Sequence, residues 1–127
     1  MRRILLGEIK NWREVGGRDQ PIRIVMVREG GGVQSSIESE FLNGKKVNVA
    51  SAILTQLSAG VVKTTAVLPE ALGLMQVSLV TSSNLVELKT QQPIEQRLDL
   101  VTLGAPTPEM RKVIDAVYRI MSNVSVR

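Results

Sequence analysis

The 127-residue chain contains no cysteine and no histidine, and one each of tryptophan, tyrosine and phenylalanine. Without cysteine there is no thiol nucleophile, no thiolate metal site and no disulfide framework, and the redox compartment leaves no trace in the composition. Without histidine the commonest general base is missing too. Trp12, Phe41 and Tyr118 lie far apart in the chain and form no stacking platform for bases, which disfavours a nucleic-acid partner. Long apolar runs are also absent. Met1-Arg2-Arg3 followed by Ile4-Leu5-Leu6 has the start of a leader, but Gly7, Glu8 and Lys10 end the run after three residues. A signal peptide needs about 7–15 apolar residues and a membrane span about 20. By these residues the chain is expected to stay where it is made.

What is present is a soluble, globular composition, 43% hydrophobic and 22% charged, of a length that suits one domain. The formal net charge of +4 is concentrated at the start. Residues 1–28 carry seven basic side chains (Arg2, Arg3, Lys10, Arg13, Arg18, Arg23 and Arg28) against Glu8, Glu14 and Asp19, and the rest of the chain carries nine of each sign. Such a basic end suits an anionic partner or is simply a solvated face.

The hydrophobic pattern predicts alternating strands and helices, hence an α/β fold with a mixed or parallel sheet. A short helix broken by turns is expected over residues 3–15, ending at Gly16-Gly17, and a buried strand at Ile22–Val27. Val33, Ile37 and Phe41 at helical spacing predict a helix closed by Asn43-Gly44. A strand at Ala52–Leu57 follows, then a helix with Ser58 as N-cap that stops near Pro69. Further strands are expected at Leu72–Val80, Leu85–Leu88 and Arg97–Leu103. A final helix opens with Thr107 as N-cap and Pro108 in its first turn, with Met110, Val113, Ile114, Val117, Tyr118 and Met121 on its apolar face.

One stretch combines elements that carry chemistry. The strand Ile22–Val27 runs into Arg28-Glu29-Gly30-Gly31-Gly32, and a helix starts near Val33. Glycines in such a turn let several backbone N–H groups converge, and the first-turn amides of a helix carry partial positive charge and no internal partner. An oxyanion site is therefore expected at Arg28, Gly30, Gly31, Gly32, Val33, Gln34 and Ser35, unless the glycines serve only as a flexible turn. The pattern is neither a Walker A loop nor G-x-G-x-x-G. Elsewhere, Trp12 sits among aliphatic residues as a core residue would. Glu38 and Glu40 fall on different helix faces and make no acid–base pair, Glu95 and Asp99 have no partners for a metal, and Ser35-Ser36 has no base. No catalytic residue, metal or cofactor is expected, and the chain is not expected to be an enzyme.

Several ordered segments resemble the phosphate-binding proteins of bacterial ABC transporters. Ile4-Leu5-Leu6-Gly7-Glu8-Ile9-Lys10-Asn11-Trp12-Arg13-Glu14-Val15-Gly16-Gly17 is similar to that family's "IFxGKIKNWxxVGG" segment. Pro21 to Glu29, Pro69-Glu70-Ala71-Leu72-Gly73, and Arg97 to Gly104 with Pro106, Pro108 and the final helix follow in the family's order. The resemblance runs collinearly from Ile4 to Met121. It implies one lobe, the second, of a two-lobed type II periplasmic-binding-protein-like fold, with weak binding of phosphate or a similar oxyanion. It implies a periplasmic or extracytoplasmic setting as well, although no signal peptide is evident in this chain and a cytoplasmic one stays open. The implied partners are a separate first lobe and the membrane subunits of an ABC transporter. In the family's Arg-x-x-Gly-Ser-Gly-Thr loop, the Arg, Ser and Thr hold phosphate. Here Arg28 matches, one residue fewer follows, Gly31 stands at the Ser position, Val33 at the Thr position and Ile37 at the following aromatic. The rival expectation is an interaction or scaffolding domain that kept the fold, lost the ligand, and self-associates as a homodimer through the surface a missing lobe leaves.

Overall fold

The computed structural model describes residues 1–28, 31–80, 84–96 and 100–123, with the side chain of Asn123 excepted. The chain forms two compact units, Met1–Gln96 and Arg97–Arg127.

The first unit is built on a three-stranded parallel sheet. Strand β1 (Arg23–Val27) is central, β2 (Ile53–Thr55) pairs on one side and β3 (Ala71–Gly73) on the other. Val25 is opposite both Ile53 and Gly73; β1 and β2 end together at Val27 and Thr55, while β3 ends two residues earlier, level with Val25. β1 is β-branched and apolar because it is covered on both faces, as the middle strand of a parallel sheet must be. Val25 is fully buried, Ile24 and Met26 nearly so, and only Arg23 at its start is exposed.

On one face, Ile24, Met26 and Leu72 join Ile4 and Leu5 of α1 (Arg2–Leu5) and Ile37, Phe41 and Leu42 in one apolar cluster. The last three come from a helix that begins as α2 (Gly32–Ser36) and continues unbroken as a π-helical turn, Ile37–Phe41. Leu42 N–H reaches back five residues to the Ile37 carbonyl at 2.8 Å, and Asn43 and Gly44, both at positive φ, end the helix. The widened turn brings Ile37, Glu38 and Phe41 inward together. On the opposite face lies α3 (Ser58–Val67), which packs on all three strands. Its first residue is Ser58. Leu57 takes the N-cap position, its carbonyl accepting a bond from the Thr55 hydroxyl at 3.0 Å, so Ser58 sits one residue further into the helix than its side chain suggested.

The amino-terminal segment is fastened by the residues around Trp12. Asn11 caps the 3₁₀ turn Trp12–Val15 by accepting from Arg13 N–H (2.9 Å), while Glu14 accepts from Asn11 N–H (3.0 Å), and Gly16 closes the turn in the left-handed conformation. The Trp12 indole N–H donates to the Glu70 carbonyl at 3.0 Å, and the same carbonyl accepts from Arg23 N–H at 3.1 Å. Trp12 thus ties the start of the chain to the junction of β1 and β3.

Three further sequence expectations, all of strands, differ from the structure. The strand expected at Leu72–Val80 is only Ala71–Gly73: the chain leaves β1 after the Leu74 N–H bond to the Val25 carbonyl, although β1 runs on to Val27, and it turns into a 3₁₀ helix at Val77–Leu79. Leu85–Leu88 is irregular, with Val86 and Leu88 exposed. Alternation alone cannot make a strand that finds no ladder. Of Arg97–Leu103, residues 97–99 lie outside the described residues and 100–103 are not a strand. In the second unit, α4 (Pro108–Asn123) forms as expected, with the Thr107 hydroxyl oxygen accepting from Met110 N–H at 3.3 Å. Leu100, Val101 and Thr102 face Met110, Val113, Ile114 and Val117 across an apolar hollow. No helix among the described residues is long and apolar enough to cross a membrane.

Candidate functional site

The chain leaves β1, passes over one face to β2 on one side, then returns over the other face to β3 on the far side. The first crossover runs from β1 to one side and the second runs from β2 back past β1 to the other; such a reversal opens a crevice outside the carboxyl ends of the strands, where ligands of open α/β sheets bind. A cavity of about 160 Å³ lies there, lined by Met26 and Val27 of β1, Gly31 to Gln34, Ser58, Leu74, Gln76 and Gln96.

Two helix starts open on this cavity, that of α2 with its π-helical continuation and that of α3. Neither N-cap, Gly31 or Leu57, supplies a side-chain bond to the first turn. The amides there keep donor capacity and partial positive charge. Ser35 N–H is already used by the Gly31 carbonyl at 3.1 Å. Gly32 lies close to the end of the Gln96 side chain. A Cβ there would come within 2.4 Å of Gln96 Nε2. Gln96 is itself held by Gln76, whose Nε2 donates to its Oε1 at 2.9 Å.

Of the residues singled out from sequence, Gly31, Gly32, Val33 and Gln34 line the cavity. Arg28 follows β1 directly. Its backbone N–H donates to the Thr55 carbonyl at 2.9 Å, and its exposed side chain has no hydrogen-bonded or ionic partner among the described residues. Ser35 is exposed and outside the lining, and Glu29 and Gly30 lie outside the described residues. Sequence reasoning passed over Ser58, Leu74, Gln76 and Gln96. Ser58 had a signal, since it starts the helix after β2 and so reaches the same edge as the turn after β1. The two distant glutamines had none.

Glu38 was also passed over as a site element. It is buried, and its carboxylate accepts from Lys46 Nζ (2.8 Å), Gln34 Nε2 (2.9 Å) and Val47 N–H (3.1 Å). Burial on its own pushes the carboxyl up, but these three donors and the Lys46 charge outweigh it and hold the group below its ordinary value of 4.5. The effect reaches the cavity through Gln34. A carboxylate only accepts, so the Gln34 amide must turn its NH₂ toward Glu38. Its Oε1 is left buried, with no partner among the described residues. Among the described residues there is no cluster of acidic side chains able to hold a metal ion.

With this geometry established, comparison with known proteins is informative. No family model matches the chain. The phosphate-binding protein PstS of Bacillus subtilis (strain 168) is 32% identical over 88 residues, which is 69% of this chain and 29% of that protein. The chain is PstS-like. The crystal structure of PstS from Borrelia burgdorferi superposes with a TM-score of 0.50 at 28% identity, over 55% of this chain and 30% of that one. The chain thus spans under a third of the length of the relatives it matches. The PstS-like fold accounts for the parallel sheet flanked by helices. It also gives the Lys10-Asn11-Trp12 segment a structural meaning. That segment, the most distinctive part of the resemblance, caps a turn and braces β3 well away from the cavity lining.

Proposed function

We propose that the chain is the second lobe of a phosphate-binding-protein fold, and that it binds phosphate or a similar oxyanion weakly at the carboxyl edge of its sheet. The observation that carries this reading is the convergence of two helix starts without side-chain caps on one cavity at the crossover point, with Arg28 directly following the lining residue Val27 and its side chain unpartnered among the described residues. The similarity to PstS supports it independently. Backbone N–H groups from Gly32 to Gln34 supply the donors, and Arg28 supplies the charge. Binding is weak because Gly31 and Val33 have no hydroxyls, and each missing bond to a charged ligand costs roughly 1.5–3 kcal/mol. A first lobe on a separate chain would close the site, in an extracytoplasmic setting that delivers the ion to an ABC transporter.

Calorimetric titration with phosphate, with sulfate as the comparison, tests the reading. Saturable phosphate binding that weakens at least tenfold in Arg28→Ala is expected. Flat heats at millimolar phosphate, or affinity unchanged in Arg28→Ala, overturn the site as drawn.

A further inference from the structure

The helix 32–41 is closed by a dipeptide with a chemistry of its own. The side-chain carbonyl carbon of an asparagine is open to attack by the backbone nitrogen of the next residue, which closes a cyclic imide. A bulky next residue obstructs that approach, and glycine, with no Cβ, does not. Of the five asparagines in the chain only Asn43 is followed by glycine, while Trp12, Val49, Leu85 and Val124 follow the others. Asn43 and Gly44 are both exposed, and a Cβ on Gly44 would meet nothing within 4 Å. The Asn43 side-chain amide has no hydrogen-bonded partner among the described residues.

The fold sets a restraint against this reactivity. Asn43 and Gly44 take φ of 53° and 83°, and the turn they make sends Gly44 N–H back six residues to the Glu38 carbonyl at 2.7 Å. The nitrogen that would attack is thus held as a donor, and it cannot keep that bond while losing its proton. The residues that follow are fastened to the same Glu38. Its carboxylate accepts from Lys46 Nζ at 2.8 Å and from Val47 N–H at 3.1 Å, and Val47 is buried in the apolar cluster. One residue therefore holds the segment 44–47 through both its carbonyl and its carboxylate. Helix ends open locally at a lower free energy than the whole fold requires.

We propose that Asn43 is a site of spontaneous deamidation, gated by local opening of this helix end. Once Gly44 N–H is released from Glu38, its proton passes to solvent hydroxide and the nitrogen bonds to Asn43 Cγ. The bond from Cγ to the NH₂ group breaks, and ammonia leaves. Water then opens the imide at either carbonyl. Breaking the bond from Cγ to nitrogen gives aspartate, and breaking the bond from the Asn43 backbone carbonyl carbon to nitrogen gives isoaspartate. One water enters, one ammonia departs, and nothing is oxidised or reduced. Both products place a carboxylate at a helix C-terminus, where negative charge is unfavourable. Isoaspartate also adds a methylene to the main chain, so Gly44 N–H no longer meets the Glu38 carbonyl and the helix end stays open.

The test follows the chain over time in mildly alkaline buffer, by trypsin digestion and mass spectrometry of the peptide 29–45, with Asn43→Gln as the control. Exchange of amide for acid at position 43, part of it as isoaspartate, is expected ahead of change at any other asparagine. The folded chain should react at least about tenfold more slowly than the chain unfolded in urea, since opening is needed first. Below the unfolding transition the rate should stay nearly flat with urea, because local opening exposes little surface, whereas global unfolding would raise it steeply. Glu38→Gln keeps the backbone carbonyl but weakens the hold on Lys46, and should speed the folded-state reaction severalfold. If that variant does not fold, the urea series on the parent decides alone. A folded rate equal to the unfolded one, or no reaction at all in the folded chain, overturns the inference. So does a rate that climbs with urea in step with global unfolding, earlier change at another asparagine, or a folded Glu38→Gln variant that reacts no faster than the parent.

Discussion

The two faces of the sheet are packed by different means. Beneath Ile24, Met26 and Leu72, large side chains from α1, the helix 32–41 and the loop at Val47 interlock in one cluster. Above Val25 and Gly73, α3 brings mostly small residues, and Val61 is its one fully buried side chain. There closeness replaces bulk. A Cβ on Gly73 would come within 2.4 Å of Thr65 Oγ1 and 2.5 Å of Met75 Cε, and one on Gly60 within 2.9 Å of Thr55 Cβ. Thr65 Oγ1 sits in that tight space buried and unpartnered among the described residues. The first face derives its stability from apolar area removed from water, and the second sacrifices some area, and one hydroxyl's hydrogen bond, to bring a helix start down to the cavity edge.

The contrast can be broken most forcefully on the apolar face. Met26→Ala empties a site only 2% exposed and should cost about 2–5 kcal/mol, read as a fall in the urea midpoint. A cost below that range would mean the cluster can collapse onto the gap. On the opposite face Gly73→Ala overfills a space already in contact and should cost about 1–3 kcal/mol. The double variant Gly73→Ala with Thr65→Ala should recover part of that loss, since the nearest clashing atom is then gone. No recovery would show that the strain lies in the backbone or at Met75 instead.

Glu38 sharpens the comparison because it joins the apolar face to the cavity. Its folded-state pKa is depressed, so its contribution is present above about 4.5 and is lost as the pH falls through the folded value. Glu38→Gln should cost about 1–2 kcal/mol at neutral pH, and the variant and parent should converge in urea melts as the pH falls through the depressed folded-state value. A constant gap across that range would assign the loss to packing rather than to charge. The smallest expected change is Thr65→Val, which exchanges an unpartnered buried hydroxyl for a methyl of similar shape. It should raise stability by up to about 1 kcal/mol. A loss would mean that the hydroxyl has a partner in solution.

Strand β1, the helix with Val33, Ile37 and Phe41 at helical spacing, and the Thr107-Pro108 start of α4 were legible in the residues, because each rests on local period or capping chemistry. The strands expected after Gly73 were not, since a strand exists only where a neighbour supplies a ladder, and that neighbour is distant in sequence. The candidate site divides the same way. The turn from β1 into α2 could be read directly, and its glycines at 31 and 32 do line the cavity. Ser58, Leu74, Gln76 and Gln96 reach it from other elements, and nothing in their immediate neighbours marks them.

By itself, then, the amino-acid sequence determined the class of fold, the absence of thiol and imidazole chemistry, and the place where a glycine turn feeds a helix start. These follow from composition and from contacts between near neighbours in the chain. The tertiary structure alone decided that two helix starts share one cavity and that Leu74, Gln76 and Gln96 complete its lining. It also decided that Glu38 is buried, with Lys46 and Val47 closing on its carboxylate. The shared cavity depends on residues from Met26 to Gln96 brought together by the parallel crossovers, and no local pattern encodes such distances.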